Sequence, residues 1–325
     1  MAHTPGTASS LYQITQPGSY YLVGNISAEV GKHGIEITCS DVRIDLRGFE
    51  LVGLQGMGSF DGIRTTNIGL RNLEISSGSV RNWGAQGINL GAMGTSSSKI
   101  RSVAARDNAS FGISTGDACA VVDCTASRNG WHGIQVAQAS SVMRCGSSGN
   151  QAIGISLAPG CVVDECQSSF NLSIGISAGP SCRILDSNSH GNASSGIYGA
   201  SETTIQGCSA SDNGLHGIFI DHRCTVLSNT LSGNGVGSSI GAGLMVTGTG
   251  NHLDGNRCTN ADRGVLVSSP GNFIVRNTCS ANAVNWEVSA GNSILVLRAA
   301  TSSGVFGDAG GQSPGSADPS ANYSY

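Results

Sequence analysis

An asparagine recurs every 21 residues without slippage, at 108, 129, 150, 171, 192, 213 and 234. A glycine followed by isoleucine keeps the same step, at 112, 133, 154, 175, 196 and 217. A strict period of this length means a stack of near-identical coils, each unable to bury its apolar face alone and each stabilised by its neighbours. The period constrains architecture far more than chemistry, because the repeating residues are those that build the stack.

Within the coil 129–150, Ile134 and Val136 alternate with Gly133, Gln135 and Ala137, the period of a half-buried strand. Val142 and Cys145 supply further inward positions, separated by small polar turn residues. Three short strands and three turns fill the repeat, and its Gly, Ser and Asn content opposes a helix. Forty-eight glycines and 12% charged residues over the whole chain agree with that reading. Leucine-rich repeats need several leucines per repeat, whereas coil 150–171 has one. A left-handed β-helix runs on hexapeptides, which 21 residues do not accommodate, and parallel strands connect right-handedly as a rule. The expected fold is all-β, a single-stranded right-handed parallel β-helix (solenoid) of about eleven coils at ~4.8 Å per rung. It reads as one elongated domain over residues 32–300, after an N-terminal extension and cap at 1–31 and before a Gly/Ser/Pro-rich tail at 301–325. Phe306, Tyr323 and Tyr325 favour some docking of that tail. Each ladder asparagine is expected in a tight turn, adopting an unusual φ itself and bonding to the asparagines above and below.

Eleven cysteines suggest disulfides, but their spacing argues otherwise. Cys124, Cys145, Cys166 and Cys208 share one repeat column, with Ser187 in the gap. Cys119, Cys161, Cys182 and Cys224 share another, with Ser140 and Thr203 in the gaps. Stacked side chains point the same way, which keeps their Cβ atoms beyond bridging distance, so they read as small reduced core residues. The formal net charge is -4, with Lys32 and Lys99 the only lysines. No basic cluster exists to hold phosphates, which excludes nucleic acid as a main partner. No stretch is apolar for long enough to span a membrane. The first 30 residues show no leader, so the expected location is extracellular or periplasmic only if one has been removed. The oligomeric state is left open.

The Gly-Ile-x-Val strands, the asparagine ladder and the segment Val42-Arg-Ile-Asp-Leu-Arg-Gly-Phe-Glu-Leu-Val-Gly53 resemble right-handed parallel β-helix repeat proteins of the pectin-lyase-like superfamily. The resemblance covers about residues 32–300. It implies a fold and a substrate class, polysaccharide, and no single reaction, since that superfamily includes lyases, hydrolases, uronate epimerases, tailspikes and catalytically silent members. The Asn-Thr-Asp, Asp-Asp, Gly-His-Gly and Arg-Ile-Lys patterns of polygalacturonase-like hydrolases are missing, and only His216-Gly217 echoes any of them. The Asp-Pro-His motif of alginate epimerases is missing too. Calcium is a cofactor that the resemblance to pectate lyases raises. The central coils, however, carry Ser114, Gln135, Ser156 and Ser177 in the exposed column, and no metal ligand set is assigned.

Function in a solenoid is sought where the repeat is broken. The exposed column two residues after each glycine turns from small and polar to Tyr198, Phe219 and Met245 on consecutive rungs. Asp221, His222 and Arg223 follow, Glu202 lies one rung away on the same turn, and the next coil gains five residues between Asn234 and Gly243. Aromatic rings beside a carboxylate, an imidazole and a guanidinium suit a sugar chain, the rings stacking on sugar faces. For chemistry, β-elimination on a uronate is the simplest expectation. Arg223 would neutralise the carboxylate, His222 or Tyr198 would act as base or acid, and Asp221 would complete the catalytic set. Phe219, Glu202, Met245 and the exposed Trp131 are the expected substrate-binding residues. The plainer alternative has Tyr198 and Phe219 covering a loop or a subunit while the charges are solvated turn residues. His132 and His216 directly precede the glycine and are expected to be buried and structural. The long loop Gly91–Ser98 reads as flexible, and the alternating charges of Asp41, Arg43, Asp45, Arg47 and Glu50 as a charged outer face. Two function classes follow. One is a polysaccharide-binding or -modifying protein, a lyase or epimerase on an acidic glycan. The other is a non-catalytic scaffold or adhesin.

Overall fold

The computed structural model describes residues 4–54, 56–91, 93–298, 305–307 and 319–324. They divide into two compact units, Met1–Gln167 and Ser168–Tyr325, built from the same coil. Each coil is three short strands joined by tight turns, wound as a right-handed parallel β-helix, and every pairing between successive coils is parallel.

In the first unit, the Gly-Ile strands form a sheet of seven strands, from Ser10–Ile14 and His33–Ile37 to Ile134–Val136 and Ile155–Leu157. In the second unit, the corresponding sheet also has seven, from Ile176–Ala178 and Ile197–Gly199 through His216–Ile220, Ala242–Val246, Arg263–Val267 and Val284–Val288 to Val305–Gly307. These are the primary sheets below. Inward positions repeat in register, so like stacks on like. Ile113, Ile134 and Ile155 are fully buried in the first unit, as are Ile176, Ile197, Ile218, Leu244, Val265 and Trp286 in the second.

The stack is close to the expected eleven coils, with further pairing at both ends. Ser10–Ile14 pairs with His33–Ile37, Gly18–Tyr21 with Val42–Asp45 and Ile26–Ser27 with Glu50–Val52, so most of the segment read as a cap is itself a coil. Val305–Gly307 pairs with Val284–Val288, and Asn322–Ser324 pairs with Thr278–Ser280 and Val296–Arg298. The rest of the segment read as a tail (301–304, 308–318 and 325) lies outside the described residues.

The asparagine ladder is present. Asn108 Nδ2 donates to Asn129 Oδ1 (3.0 Å) and Asn129 Nδ2 to Asn150 Oδ1 (2.9 Å). In the second unit the same bond links Asn171 to Asn192 (2.9 Å), Asn192 to Asn213 (3.0 Å) and Asn213 to Asn234 (2.9 Å). The expected unusual φ, however, belongs to the residue before each asparagine: Asp107 (57°), Arg128 (52°), Phe170 (55°) and Asp212 (54°), with glycine at 149, 191 and 233. That left-handed residue turns the chain so that the asparagine side chain points inward under the next rung. The repeated glycine is a matter of space. A Cβ on Gly196 would lie 2.6 Å from Asn213 Nδ2 and 2.8 Å from Gly217 O.

The cysteines are all free, and all but Cys39 are buried. They act as corner acceptors: the backbone N–H of Cys124 points at Cys145 Sγ and that of Cys145 at Cys166 Sγ, each at 3.4 Å. Where the column changes residue the role persists, with Cys119 N–H donating to Ser140 Oγ (3.0 Å), Cys208 N–H to Asn229 Oδ1 (2.8 Å) and Cys224 N–H to Asn251 Oδ1 (2.7 Å). Cysteine, serine and asparagine share these columns because each offers an acceptor to the amide of the adjacent rung.

Ion pairs run along the outside of the early coils, with Arg43 and Arg101 on Glu74 and Arg81 and Arg106 on Glu50. The loop read as flexible is tied down at Thr95 and Ser98, both buried. Thr95 Oγ1 meets Thr65 Oγ1 at 3.2 Å, and Ser98 Oγ accepts the N–H of Leu73 at 3.1 Å. Ala92 of that loop lies outside the described residues.

Candidate functional site

The outward column of the second unit's primary sheet reads Ser177, Tyr198, Phe219, Met245, Leu266 and Glu287 in continuous register. Strand alternation turns these side chains away from the core, so a stripe of aromatic and apolar groups lies on the outer face. The rings of Tyr198 and Phe219 are 5.2 Å apart at 54°, a tilted pair on adjacent rungs.

Polar groups flank this floor. Tyr198 Oη donates to Asp221 Oδ2 at 2.6 Å, and Thr247 Oγ1 is 3.5 Å from Asp221 Oδ1. Burial, reinforced by the adjacent carboxylate, pushes the Tyr198 hydroxyl up to about 12. Tyr198 is therefore a hydrogen-bond donor at neutral pH and a poor base.

The charged residues of the following turns form separate pairs. Arg223 donates to Glu202 Oε1 from Nη2 (2.8 Å) and Nε (3.1 Å), and Ser181 Oγ donates to Glu202 Oε2 (3.1 Å). The guanidinium holds the Glu202 carboxyl below its usual range. His222 Nδ1 accepts the backbone N–H of Thr249 at 3.1 Å, which assigns the ring proton to Nε2. Tyr198, Asp221 and Phe219 are thus brought together, with Met245 on the next rung, while Glu202 with Arg223 and His222 are each engaged elsewhere on the turn. Trp131 belongs to the first unit, where it is half exposed and its ring lies 5.2 Å from that of His132.

His216, Arg263 and Asp262 were not among the expected site residues. His216 is only 7% exposed and its ring is 5.7 Å from that of Phe219. It was expected to be buried and structural, and it is buried, with its Nδ1 left without a partner. His132, at the same repeat position, is half-buried, where it was expected to be buried, and accepts the N–H of Ile153 through Nδ1 (3.0 Å). Burial, with the nearby charge of Arg263, pulls His216 down to about 4 and keeps it neutral. Arg263 lies in register two rungs along, ion-paired with Glu287, and donates to Ser239 O at 2.6 Å. Asp262 pins the inserted loop by accepting from Gly237 N (3.0 Å), Ser239 N (2.7 Å) and Ser238 Oγ (3.2 Å). Counting the register through the insertion places His216, Ala242 and Arg263 in one column; a fixed 21-residue step does not.

Among the described residues no group of three or more His, Cys, Asp or Glu side chains is placed to hold a metal ion.

Residues 123–253 match the family described as right handed beta helix region. No curated protein matches the chain in sequence. Among solved structures, the A-module of an Azotobacter vinelandii mannuronan C-5 epimerase is similar, with a TM-score of 0.60 and 14% identity over 86% of each chain. A mutant of the periplasmic alginate epimerase AlgG also has a TM-score of 0.60, with 14% identity over 77% of this chain and 72% of its own. The Dettilon tailspike protein has a TM-score of 0.57 and 15% identity over 83% of this chain, which spans 58% of the tailspike. At these identities the likeness establishes the fold, a right-handed parallel β-helix.

Proposed function

We propose that the protein binds a polysaccharide chain along the outward face of the second unit's primary sheet. The observation that carries this reading is the Tyr198–Phe219 pair with Asp221 bonded to Tyr198 at 2.6 Å: two adjacent rings with a fixed carboxylate at their edge. A sugar ring laid on Phe219 buries its C–H face, and its hydroxyls donate to Asp221. Two epimerases among the similar folds, named for mannuronan and alginate, support a polysaccharide as the partner. Binding is favoured over elimination because the cations are already paired, Arg223 with Glu202 and Arg263 with Glu287. Affinity electrophoresis through gels holding alginate, polygalacturonate or a neutral glucan tests the reading. Retardation in at least one gel, relieved by Phe219→Ala, is expected. Equal mobility of the parent and Phe219→Ala in every gel would refute it.

One observation favours a second reading, proton abstraction by a lyase or epimerase. His216 is neutral, its Nδ1 has no hydrogen-bond partner and its ring sits against Phe219, and only a neutral imidazole can take up a proton. Ultraviolet absorbance of unsaturated sugar ends, and uptake of deuterium from solvent into the polymer, would both vanish in His216→Gln if this reading holds. Neither signal in the parent protein, on any uronate polymer, leaves binding alone.

A further inference from the structure

We propose that the first unit carries a second binding cleft, separate from the Phe219 platform, that takes the ring of an uncharged sugar. The outward column of that unit's primary sheet is Glu36, Arg64, Asn89, Ser114, Gln135 and Ser156, in register. Glu36, Asn89 and Ser114 are each only 8% exposed although they face away from the core. Asn89 and Ser114 are shielded because the outer surface is concave there: a cleft of about 480 Å³ lies over Asn89, Ser114, Gln135 and Ser156, with Gln86 and Phe111 in its wall. A solenoid face needs no such hollow, and no charged residue lines it.

The amides specify the ligand. Asn89 Nδ2 donates to Asp61 Oδ2 at 3.1 Å, and Asp61 Oδ1 accepts the backbone N–H of Gln86 at 2.9 Å. Turning the Asn89 amide over would set its carbonyl against the Asp61 carboxylate, so the orientation is fixed. That leaves Asn89 Oδ1 buried with no partner, and Gln86 Oε1 in the same condition. Two unpartnered carbonyl oxygens at one cleft call for hydrogen-bond donors. A carboxylate group offers no donor, and no cation lines the cleft to pair with one. Sugar hydroxyls donate to both amides and accept from Ser114, Gln135 and Ser156, while the Phe111 ring meets the apolar face of the sugar. The platform reading is not needed for this argument, since all these residues belong to the other unit.

The test is calorimetric titration of the whole chain with maltohexaose, cellohexaose and mannohexaose, and with hexagalacturonate as the charged comparator. At least one neutral hexasaccharide is expected to bind with a Kd below about 10 mM, and Gln135→Ala to weaken it by about fivefold or more. Gln135 makes no side-chain hydrogen bond, so its loss leaves the coil intact. Ala137→Trp, which fills the cleft, is expected to abolish the heat, with its fold verified by far-ultraviolet circular dichroism. No heat from any neutral probe overturns the proposal, as does a preference for hexagalacturonate. Binding that survives Ala137→Trp but is lost in Phe219→Ala places the sugar on the platform, which also overturns the cleft while sparing the platform reading.

Discussion

Asn192→Ala is the most direct perturbation of the stack. The parent side chain takes part in five hydrogen bonds. Its Oδ1 accepts the backbone N–H of Asn171 (3.0 Å) and Asn171 Nδ2 (2.9 Å), while its Nδ2 reaches Asn213 Oδ1 (3.0 Å), Ser189 Oγ (3.0 Å) and Ser168 O (3.2 Å). Both asparagines are 1% exposed, so water cannot replace what is lost. The amide N–H of Asn171 loses its acceptor at full desolvation cost, about 2 kcal/mol, and the remaining bonds add about 1 kcal/mol each for the two best aligned. The sum is about 4 kcal/mol, or about 6 °C in Tm if the whole chain melts together. Urea unfolding followed by circular dichroism measures it, with Ser177→Ala on the outer face as a control expected within about 0.5 kcal/mol of the parent. Asn192→Asp adds a sign test. It keeps an acceptor but points a carboxylate at Asn213 Oδ1 and Ser168 O, so its folded pKa is raised and its deficit deepens as pH rises above the unfolded value. A loss for Asn192→Ala below about 1 kcal/mol, indistinguishable from the control, would refute the claim that corner acceptors hold the rungs together.

Other expectations follow from the same structure. His216 titrates at about 4 in the folded chain, below its ordinary value, so the unfolded chain binds the proton first and stability is lost as pH falls from about 6.5 toward 4. That share is about 3 kcal/mol at most, and His216→Phe should be free of it in urea titrations at pH 7 and pH 4.5. In Ellman titration at pH 8, Cys39 alone should react in the native chain and all eleven thiols in denaturant, because burial pushes thiols such as Cys119 and Cys224 upward and closes access. Asp262→Ala removes three bonds from the inserted loop, and limited proteolysis should then cut between Val236 and Ile240 at least several-fold faster than in the parent.

How much of this was legible depended on whether a residue acts through the repeat or against it. The coil, its parallel stacking, the ladder and the reduced cysteines all follow from a period that forces like onto like, and that logic needs no coordinates. The end coils escaped it because Ser10–Ile14 and Val305–Gly307 pair without carrying the Asn…Gly-Ile spacing. The ladder's φ was misplaced by one residue for a related reason: periodicity locates a turn but not which of its residues goes left-handed. The site was legible only as a column. Tyr198, Phe219 and Met245 were found by register, whereas the partners of Asp221, His222, Glu202 and Arg223 depend on which side of a turn each side chain leaves. Arg223 and Glu202 both sit at left-handed positions (55° and 64°) on successive coils, which swings them onto each other and away from the sheet face. His216 and Asn89 show the converse. Both occupy repeat positions that read as structural or bland, and both hold a buried polar atom without a partner. A stack that satisfies its corner amides at nearly every rung has little structural reason to leave those two groups unpaired, which is why the platform and the cleft, more than the charged turn, are the places to look for a ligand.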